Sequence, residues 1–185
     1  MRGTILTITS RRTFLAVVLA LMLAPRLAVA EARAGALEAL VPAARRVGKA
    51  RFKVIFFKIY DAELFAPDGR FDRAGPYALR LTYLINAKKD RIVSQTVKEM
   101  KRQTSASNSQ VESWIPLMER HFISMDKGTN ADFIHTADGR LVLAAEGEVI
   151  SEITDREFIT ALMDVWLGPK VRDKTFQRAL MGLEQ

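Results

Sequence analysis

The sequence predicts an α+β domain built on an antiparallel sheet. Residues 77–85 place larger apolar side chains at every second position, a pattern typical of a strand with one buried face. Short apolar runs over residues 133–150 are separated by Asp138-Gly139 and by Gly147, which indicates hairpins between antiparallel strands. Helical patterns lie between these two strand groups and after the second one. Grouped strands and grouped helices in this order favour the α+β class.

The first 30 residues predict a cleavable export signal. Their apolar stretch, residues 14–24, is about 11 residues long, whereas a membrane-spanning helix needs about 20. Residues 28–30, Ala-Val-Ala, form a signal-peptidase cleavage pattern. Residues 10–15, SRRTFL, resemble the twin-arginine export motif, and the alternative is an ordinary secretory signal with an incidental arginine pair. We therefore expect residues 31–185 to be periplasmic or secreted after cleavage following Ala30, with no stable membrane span.

The first part of the mature chain predicts an entry segment and then strands. Residues 31–46 are rich in alanine and arginine and predict a short helix or an entry segment. Residues 51–60 are aromatic and β-branched, and predict one long strand that continues to residue 66. Pro67-Asp68-Gly69 then supplies a tight turn, because Asp-Gly accommodates the positive φ that such a turn needs. The alternating strand at residues 77–85 follows.

Helix signals follow this first strand group. Asp90 opens an amphipathic segment, and Ser109 to Glu112 fit the capping box of a second helix. Pro116 either kinks that second helix or marks a later start. The last helices are expected after a capping box at residues 154–157, up to Gly168-Pro169, and over residues 170–181.

Composition excludes several classes of site. The chain has 185 residues with no cysteine and two histidines, His121 and His135. It therefore forms no disulfide, thiolate nucleophile or cysteine-ligated metal centre, and no metal or other cofactor is expected. No glycine-rich phosphate loop and no Gly-x-Ser-x-Gly elbow occurs.

Net charge gives no reason to expect a nucleic-acid partner. The chain carries 28 Lys and Arg against 21 Asp and Glu, a net charge of +7. Four of the arginines lie in residues 1–30, which hold no acid, so the remainder has 24 basic and 21 acidic residues and a charge of +3. That excess is too small to indicate nucleic-acid binding.

Three stretches resemble the bacterial chalcone isomerase-like proteins. They are FFKIYDAELFAP at residues 56–67, ALRLTY at residues 78–83, and the segment that begins at Phe158 and ends in DVWLGP at residues 164–169. The resemblance covers most of residues 45–183. It implies an open-faced β-sandwich of the chalcone isomerase type, in which helices pack on one face of a long antiparallel sheet and a ligand cleft lies between the two layers.

The resemblance implies either binding or isomerase chemistry. Plant enzymes of this fold cyclise a chalcone with an Arg, Thr, Tyr, Lys and Asn set, and relatives without that set bind fatty acids. Ile55 falls at the threonine position, and Ile92 and Gln95 fall near the tyrosine and lysine positions. An isoleucine cannot donate a hydrogen bond to a developing oxyanion. We therefore expect a protein that lacks the plant enzyme's catalytic set and binds a small lipophilic or carboxylate ligand such as a fatty acid.

Two other interpretations stay open, an isomerase or lyase acting on a small aromatic or carboxylate ligand, and an interaction module whose cleft is filled by side chains. No catalytic residue and no protein partner can be assigned from the sequence. Tyr83 lies on the apolar face of its strand, where a buried hydroxyl needs a protein or ligand partner. Arg51 either meets a ligand carboxylate or pairs with an acid such as Glu63. The candidate ligand-binding residues are Arg51, Tyr60, Tyr83, Lys98 and Arg102, with packing in the core or a solvated helix face as their alternatives.

Overall fold

A computed structural model describes residues 35–183 of the chain. The export signal predicted for residues 1–30 lies outside the described residues. The strands are β1 (Ala44–Val54), β2 (Phe57–Pro67), β3 (Tyr77–Tyr83), β4 (Asn130–His135), β5 (Leu141–Ala145) and β6 (Glu148–Ile153). The helices are α1 (Ala36–Leu40), α2 (Lys89–Gln103), α3 (Asn108–Ser113), α4 (Ile115–His121), α5 (Arg156–Leu167) and α6 (Lys174–Leu180). Over the described range, no helix combines the length and apolarity needed to cross a membrane.

The strands form one antiparallel sheet in which each strand pairs with its neighbours in the chain. Helices α2 to α6 cover one face of this sheet, and the main core lies between the two layers. The alternating residues of β3 supply the centre of that core, because Tyr77, Leu79, Leu81 and Tyr83 are all buried under the helices. The predicted antiparallel α+β architecture is confirmed.

On the opposite face of the sheet, the described residues that provide cover are α1 and the residues that follow it. Leu37 and Val41 are buried against Ala78 and Ile134 in a second, smaller core. Beside this small core, Arg80 donates two hydrogen bonds of 2.7 Å to the carboxylate of Asp132, which is 1% exposed. This buried ion pair occupies the face that faces away from the main helical layer.

One strand prediction was wrong, because residues 51–66 form two strands instead of one. The chain reverses at Ile55-Phe56, and Val54 pairs with Phe57 across a two-residue turn. Ile55 has a φ of 56°, a conformation that glycine, asparagine or aspartate usually supplies in such turns. Because a β-branched residue occupies this position, the sequence contains no turn signal here. Residues 44–46, expected in the entry segment, belong to β1.

Several helix ends differ from the predictions, most of all in the last helix, which was expected from residue 170 and begins at Lys174 after the Asp173 cap. Ser107, instead of Ser109, caps α3, and its Oγ accepts a hydrogen bond from the Gln110 amide at 3.2 Å. Pro116 lies in the first turn of α4, so the later-start alternative is confirmed. Asp155, instead of Thr154, caps α5.

Candidate functional site

A cleft of about 470 Å³ opens between the sheet and the helical layer. Strands β1 to β4 form one wall, and helices α2, α5 and α6 with the segments that precede α2 and α6 form the other. This volume lies in the range of about 300–1,000 Å³ that is common for small-molecule pockets. The buried part of the wall is mostly apolar and includes Leu81, Phe133, Val165, Trp166 and Phe176.

A β-bulge directs an aromatic cluster toward the cleft. Phe52 pairs with Tyr60 and Lys53 pairs with Lys58, so Ile59 is an extra residue of β2. Such an insertion re-aims neighbouring side chains, and both Ile59 and Tyr60 line the cleft. The ring of Phe52 stacks on Tyr60 with centroids 5.0 Å apart. This stacking holds the Tyr60 ring in the cleft wall.

Tyr60 and Tyr83 lie opposite each other on β2 and β3, with ring centroids 6.2 Å apart. The Tyr60 hydroxyl oxygen accepts a hydrogen bond from Trp166 Nε1 at 2.9 Å, which leaves its own proton available to a further acceptor. The Tyr83 hydroxyl forms no hydrogen bond with any other residue in the range 35–183, although the side chain is only 6% exposed.

Burial extends the protonated form of both of these tyrosines to higher pH. It raises the pKa of Tyr83 to about 12. The pKa of Tyr60 is also raised, chiefly by burial, and the nearby Tyr83 and Glu99 act in the same direction. At neutral pH each hydroxyl is therefore a neutral hydrogen-bond donor for a polar group in the cleft.

Helix α2 adds a polar strip to the cleft wall. Glu99 accepts hydrogen bonds of 2.8 Å from the amide groups of Gln95 and Gln103. Arg102 donates a third hydrogen bond to Glu99 at 3.2 Å. Gln103 is held in turn, because its side-chain oxygen accepts from the Arg172 amide at 2.9 Å. The strip is thus a fixed, negatively charged part of the inner wall.

Cations mark the outer part of the cleft. Lys88 and Arg91 line it from the beginning of α2, and both side chains are exposed. Neither forms an ion pair with another residue that the structure describes. Within the same range, no cluster of three or more His, Cys, Asp or Glu residues is placed to hold a metal ion. Lys88 and Arg91 are therefore available to meet an acidic group, while Asp173 at the beginning of α6 adds an exposed carboxylate to the same lining.

Two of the five predicted ligand-binding residues, Tyr60 and Tyr83, line the cleft, and Arg51 does not. Arg51 lies directly opposite Asp61 in the register of β1 and β2, and its Nε and Nη2 donate to the carboxylate at 2.5 and 2.7 Å. The predicted alternative partner, Glu63, pairs instead with Arg46 at 2.8 Å. The hydrogen-bonded pair raises the pKa of Arg51 and lowers that of Asp61.

Lys98 and Arg102 also lie outside the cleft. Lys98 is exposed on the outer side of α2, and Arg102 acts on the cleft only through Glu99. Lys88 and Arg91 were not among the predicted ligand-binding residues. Both residues lie in or just after the connection between the alternating strand and the first long helix. That position could have indicated them, because binding groups are common in such connections.

The positions aligned with the plant catalytic set are separated in the structure. Ile92 and Gln95 line the cleft. Ile55 is 80% exposed in the turn between β1 and β2 and does not line the cleft. The resemblance assumed a continuous strand here, whereas the chain reverses at Ile55-Phe56.

Comparison with known proteins places this fold among chalcone isomerase-like proteins. The family described as chalcone isomerase-like matches residues 47–182. Among solved structures, the crystal structure of an Arabidopsis thaliana fatty-acid binding protein superposes with a TM-score of 0.54 at 12% sequence identity. The match covers 76% of this chain and 88% of that chain, and at this identity it shows the fold alone. No match is found among curated proteins.

Proposed function

The chain belongs to the chalcone isomerase-like family, and we propose that it binds a small lipophilic ligand, such as a fatty acid, in the cleft between sheet and helices. The observation that carries this proposal is the largely apolar cleft of about 470 Å³ with two protonated phenol hydroxyls in its wall. The fatty-acid binding protein of the same fold supports the ligand class.

The charges in the cleft favour one orientation of an acidic ligand. A carboxylate deep in the cleft would lose its hydration and would lie beside the negatively charged Glu99. A carboxylate at the rim stays hydrated and is attracted to Lys88 and Arg91. The acid group therefore lies at the rim, and the hydrocarbon tail lies against apolar side chains such as Leu81 and Trp166.

The phenol hydroxyls select for a second polar group in the ligand. With the acid group at the rim, the Tyr83 hydroxyl is available to a hydroxyl or carbonyl oxygen further along the chain. We expect a hydroxylated fatty acid to bind about two- to tenfold more tightly than the unsubstituted acid, the value of one neutral hydrogen bond of about 0.5–1.5 kcal/mol. Tyr83→Phe removes that difference.

Titration with a fluorescent fatty acid, together with native mass spectrometry of the purified protein, tests the proposal. Arg91→Glu reverses a charge at the rim, and Lys98→Glu makes the same change on the same helix outside the cleft. Arg91→Glu should weaken binding roughly fivefold, because an exposed ion pair contributes about 1 kcal/mol or less, whereas Lys98→Glu should leave binding within about twofold. Equal effects of the two variants, or no binding of any fatty acid, would contradict the proposal.

An enzyme acting on a small aromatic or carboxylate ligand is the second candidate, because the Tyr83 hydroxyl is a positioned proton donor in the cleft. Turnover of such a ligand, lost in Tyr83→Phe while binding persists, would establish this second function. Retained binding without turnover of the ligands tested supports the carrier.

We also propose that the protein works outside the cytoplasm after export. The basis is the predicted signal in residues 1–30. N-terminal sequencing of the protein from cell fractions should give a chain that begins at Glu31. Replacing both Arg11 and Arg12 by Lys should block a twin-arginine route and leave an ordinary secretory route intact.

A further inference from the structure

The turn between β1 and β2 exposes four consecutive apolar residues, Val54, Ile55, Phe56 and Phe57, here named the hairpin tip. Their exposed fractions are 45%, 80%, 91% and 71%. Exposed apolar side chains that are contiguous mark a surface for a partner or a membrane. We infer that the hairpin tip docks the protein on the surface of an anionic lipid bilayer by inserting its apolar side chains.

Backbone conformation indicates that the hairpin tip does not serve the fold. Ile55 has a φ of 56°, where a β-branched side chain is sterically disfavoured. Neither Ile55 nor Phe56 belongs to a buried cluster of residues 35–183. Asparagine or glycine would form the same turn with less strain. Packing within residues 35–183 therefore gives no reason for these bulky side chains, and a contact beyond those residues explains them.

Charge around the hairpin tip matches an anionic surface. Lys53 and Lys58 lie directly opposite each other at its base. Like charges in this arrangement destabilise a strand pair, and neither lysine forms an ion pair within the described range. No acidic residue occurs from residue 47 to residue 60. Anionic lipid headgroups would neutralise these lysines while the tip enters the bilayer interface.

The size of the hairpin tip favours a bilayer over a protein partner. A stable protein interface buries about 800 Å² on each side, contributed by about 20–30 residues. A two-residue turn with its flanking pair offers four residues. Insertion into a bilayer interface needs no matching surface, because its strength follows from buried apolar area and electrostatic attraction.

The hairpin tip adjoins the cleft, since Val54 belongs to both. Ile59 and the partly exposed Ile85 continue the apolar surface along the cleft lining. A docked protein would therefore hold the cleft close to the lipid from which a lipophilic ligand is drawn. This consequence rests on the proposed function, whereas docking itself does not.

Site-specific labelling tests the docking directly, because the full chain contains no cysteine. Phe56→Cys carries an environment-sensitive fluorophore, and Val149→Cys, 59% exposed on β6 at the opposite edge of the sheet, is the control. With phosphatidylglycerol-containing vesicles, the label at position 56 should shift to the blue and be quenched by brominated lipids. The control label should not change. A label at position 56 that remains in water on vesicle-bound protein would overturn the inference.

Vesicle sedimentation of the full chain measures the size of the effect. Phe56→Asp should lower partitioning at least about tenfold, whereas Val149→Asp should stay within about twofold of the parent. Because every variant carries the same residues 1–30, the difference between these two variants reports on the hairpin tip alone. Equal partitioning would overturn docking, as would a label shift that depends on protein concentration without vesicles, which indicates a second copy.

The same proteins separate this inference from the proposed function. Phe56→Asp should keep its affinity for a soluble fluorescent fatty acid, since Phe56 does not line the cleft. Loss of vesicle binding with retained fatty-acid binding is the result expected for this variant. If the parent docks on vesicles but binds no fatty acid, the proposed function fails and docking stands.

Discussion

Tyr60 and Tyr83 face each other across two strands, yet removal of the hydroxyl should have different effects at the two positions. The Tyr60 hydroxyl accepts from Trp166 Nε1 at 2.9 Å, and the indole is 7% exposed. Tyr60→Phe leaves that buried N–H without an acceptor, which costs about 1–3 kcal/mol. We expect the free energy of unfolding to fall by about 2 kcal/mol.

Tyr83→Phe also removes a phenol hydroxyl, but it leaves no other group without a hydrogen-bond partner, because no other described residue forms a hydrogen bond with the Tyr83 hydroxyl. Its free energy of unfolding should stay within about 0.5 kcal/mol of the parent or rise slightly. For a domain of this size, the two variants should differ in midpoint temperature by about 4–8 °C.

Urea denaturation of the ligand-free proteins is the assay, with the slope of each transition checked for constancy so that the midpoints report stability. Equal destabilisation by the two substitutions would refute the reasoning, because it would mean that the Tyr83 hydroxyl has a protein partner. A stable Tyr60→Phe would refute the assigned acceptor role of Tyr60.

Burial raises the pKa of Tyr83 and Tyr77 to about 12, so each favours the folded state below pH 10 and loses that contribution as pH rises toward 12. Urea denaturation from pH 9 to pH 11 measures this loss. Between these pH values, the free energy of unfolding of Tyr83→Phe should fall by about 1 kcal/mol less than that of the parent. Equal falls would contradict the burial of the Tyr83 side chain. Ile55→Asn should raise the free energy of unfolding by about 1 kcal/mol in urea denaturation, because asparagine tolerates the positive φ of this position better than isoleucine does. A lower free energy of unfolding would show that the turn is unstrained. Gly48→Ala should lower the free energy of unfolding by about 3 kcal/mol, because the added Cβ would lie 2.5 Å from the backbone oxygen of Leu180 in α6. At the control position, Gly75→Ala, the added Cβ would have no neighbour within 3.5 Å, so thermal unfolding should be nearly unchanged.

Much of the sheet could be read from local pattern. The alternation over residues 77–85 predicted the central strand because side chains of a strand point to opposite faces, and β3 buries that alternate set. Asp138-Gly139 and Gly147 predicted the later hairpins because their turns need positive φ, which both Gly139 and Gly147 adopt. The reversal at Ile55 had no such signal, so the pattern predicted one strand where the structure has two.

The candidate site was also predictable from the sequence only in part. Strand parity placed Tyr83 on the helix-covered face, and the cross-strand register then set Tyr60 opposite it. Parity could not decide the partner of Arg51, because Asp61 and Glu63 are both acids on the same side of β2, and only the register of β1 against β2 selects Asp61.

The sequence by itself determined the antiparallel α+β class, the absence of cysteine chemistry and the tyrosine of the central strand, since these depend on composition and on periods of a few residues. Only the tertiary structure decided which cations meet the cleft. Lys88 and Arg91 line it while Lys98 and Arg102 do not, although all four lie in or beside one helix. That choice depends on how α2 is rotated over the sheet, and its rotation is set by packing of Val93 and Met100 against distant strands and helices.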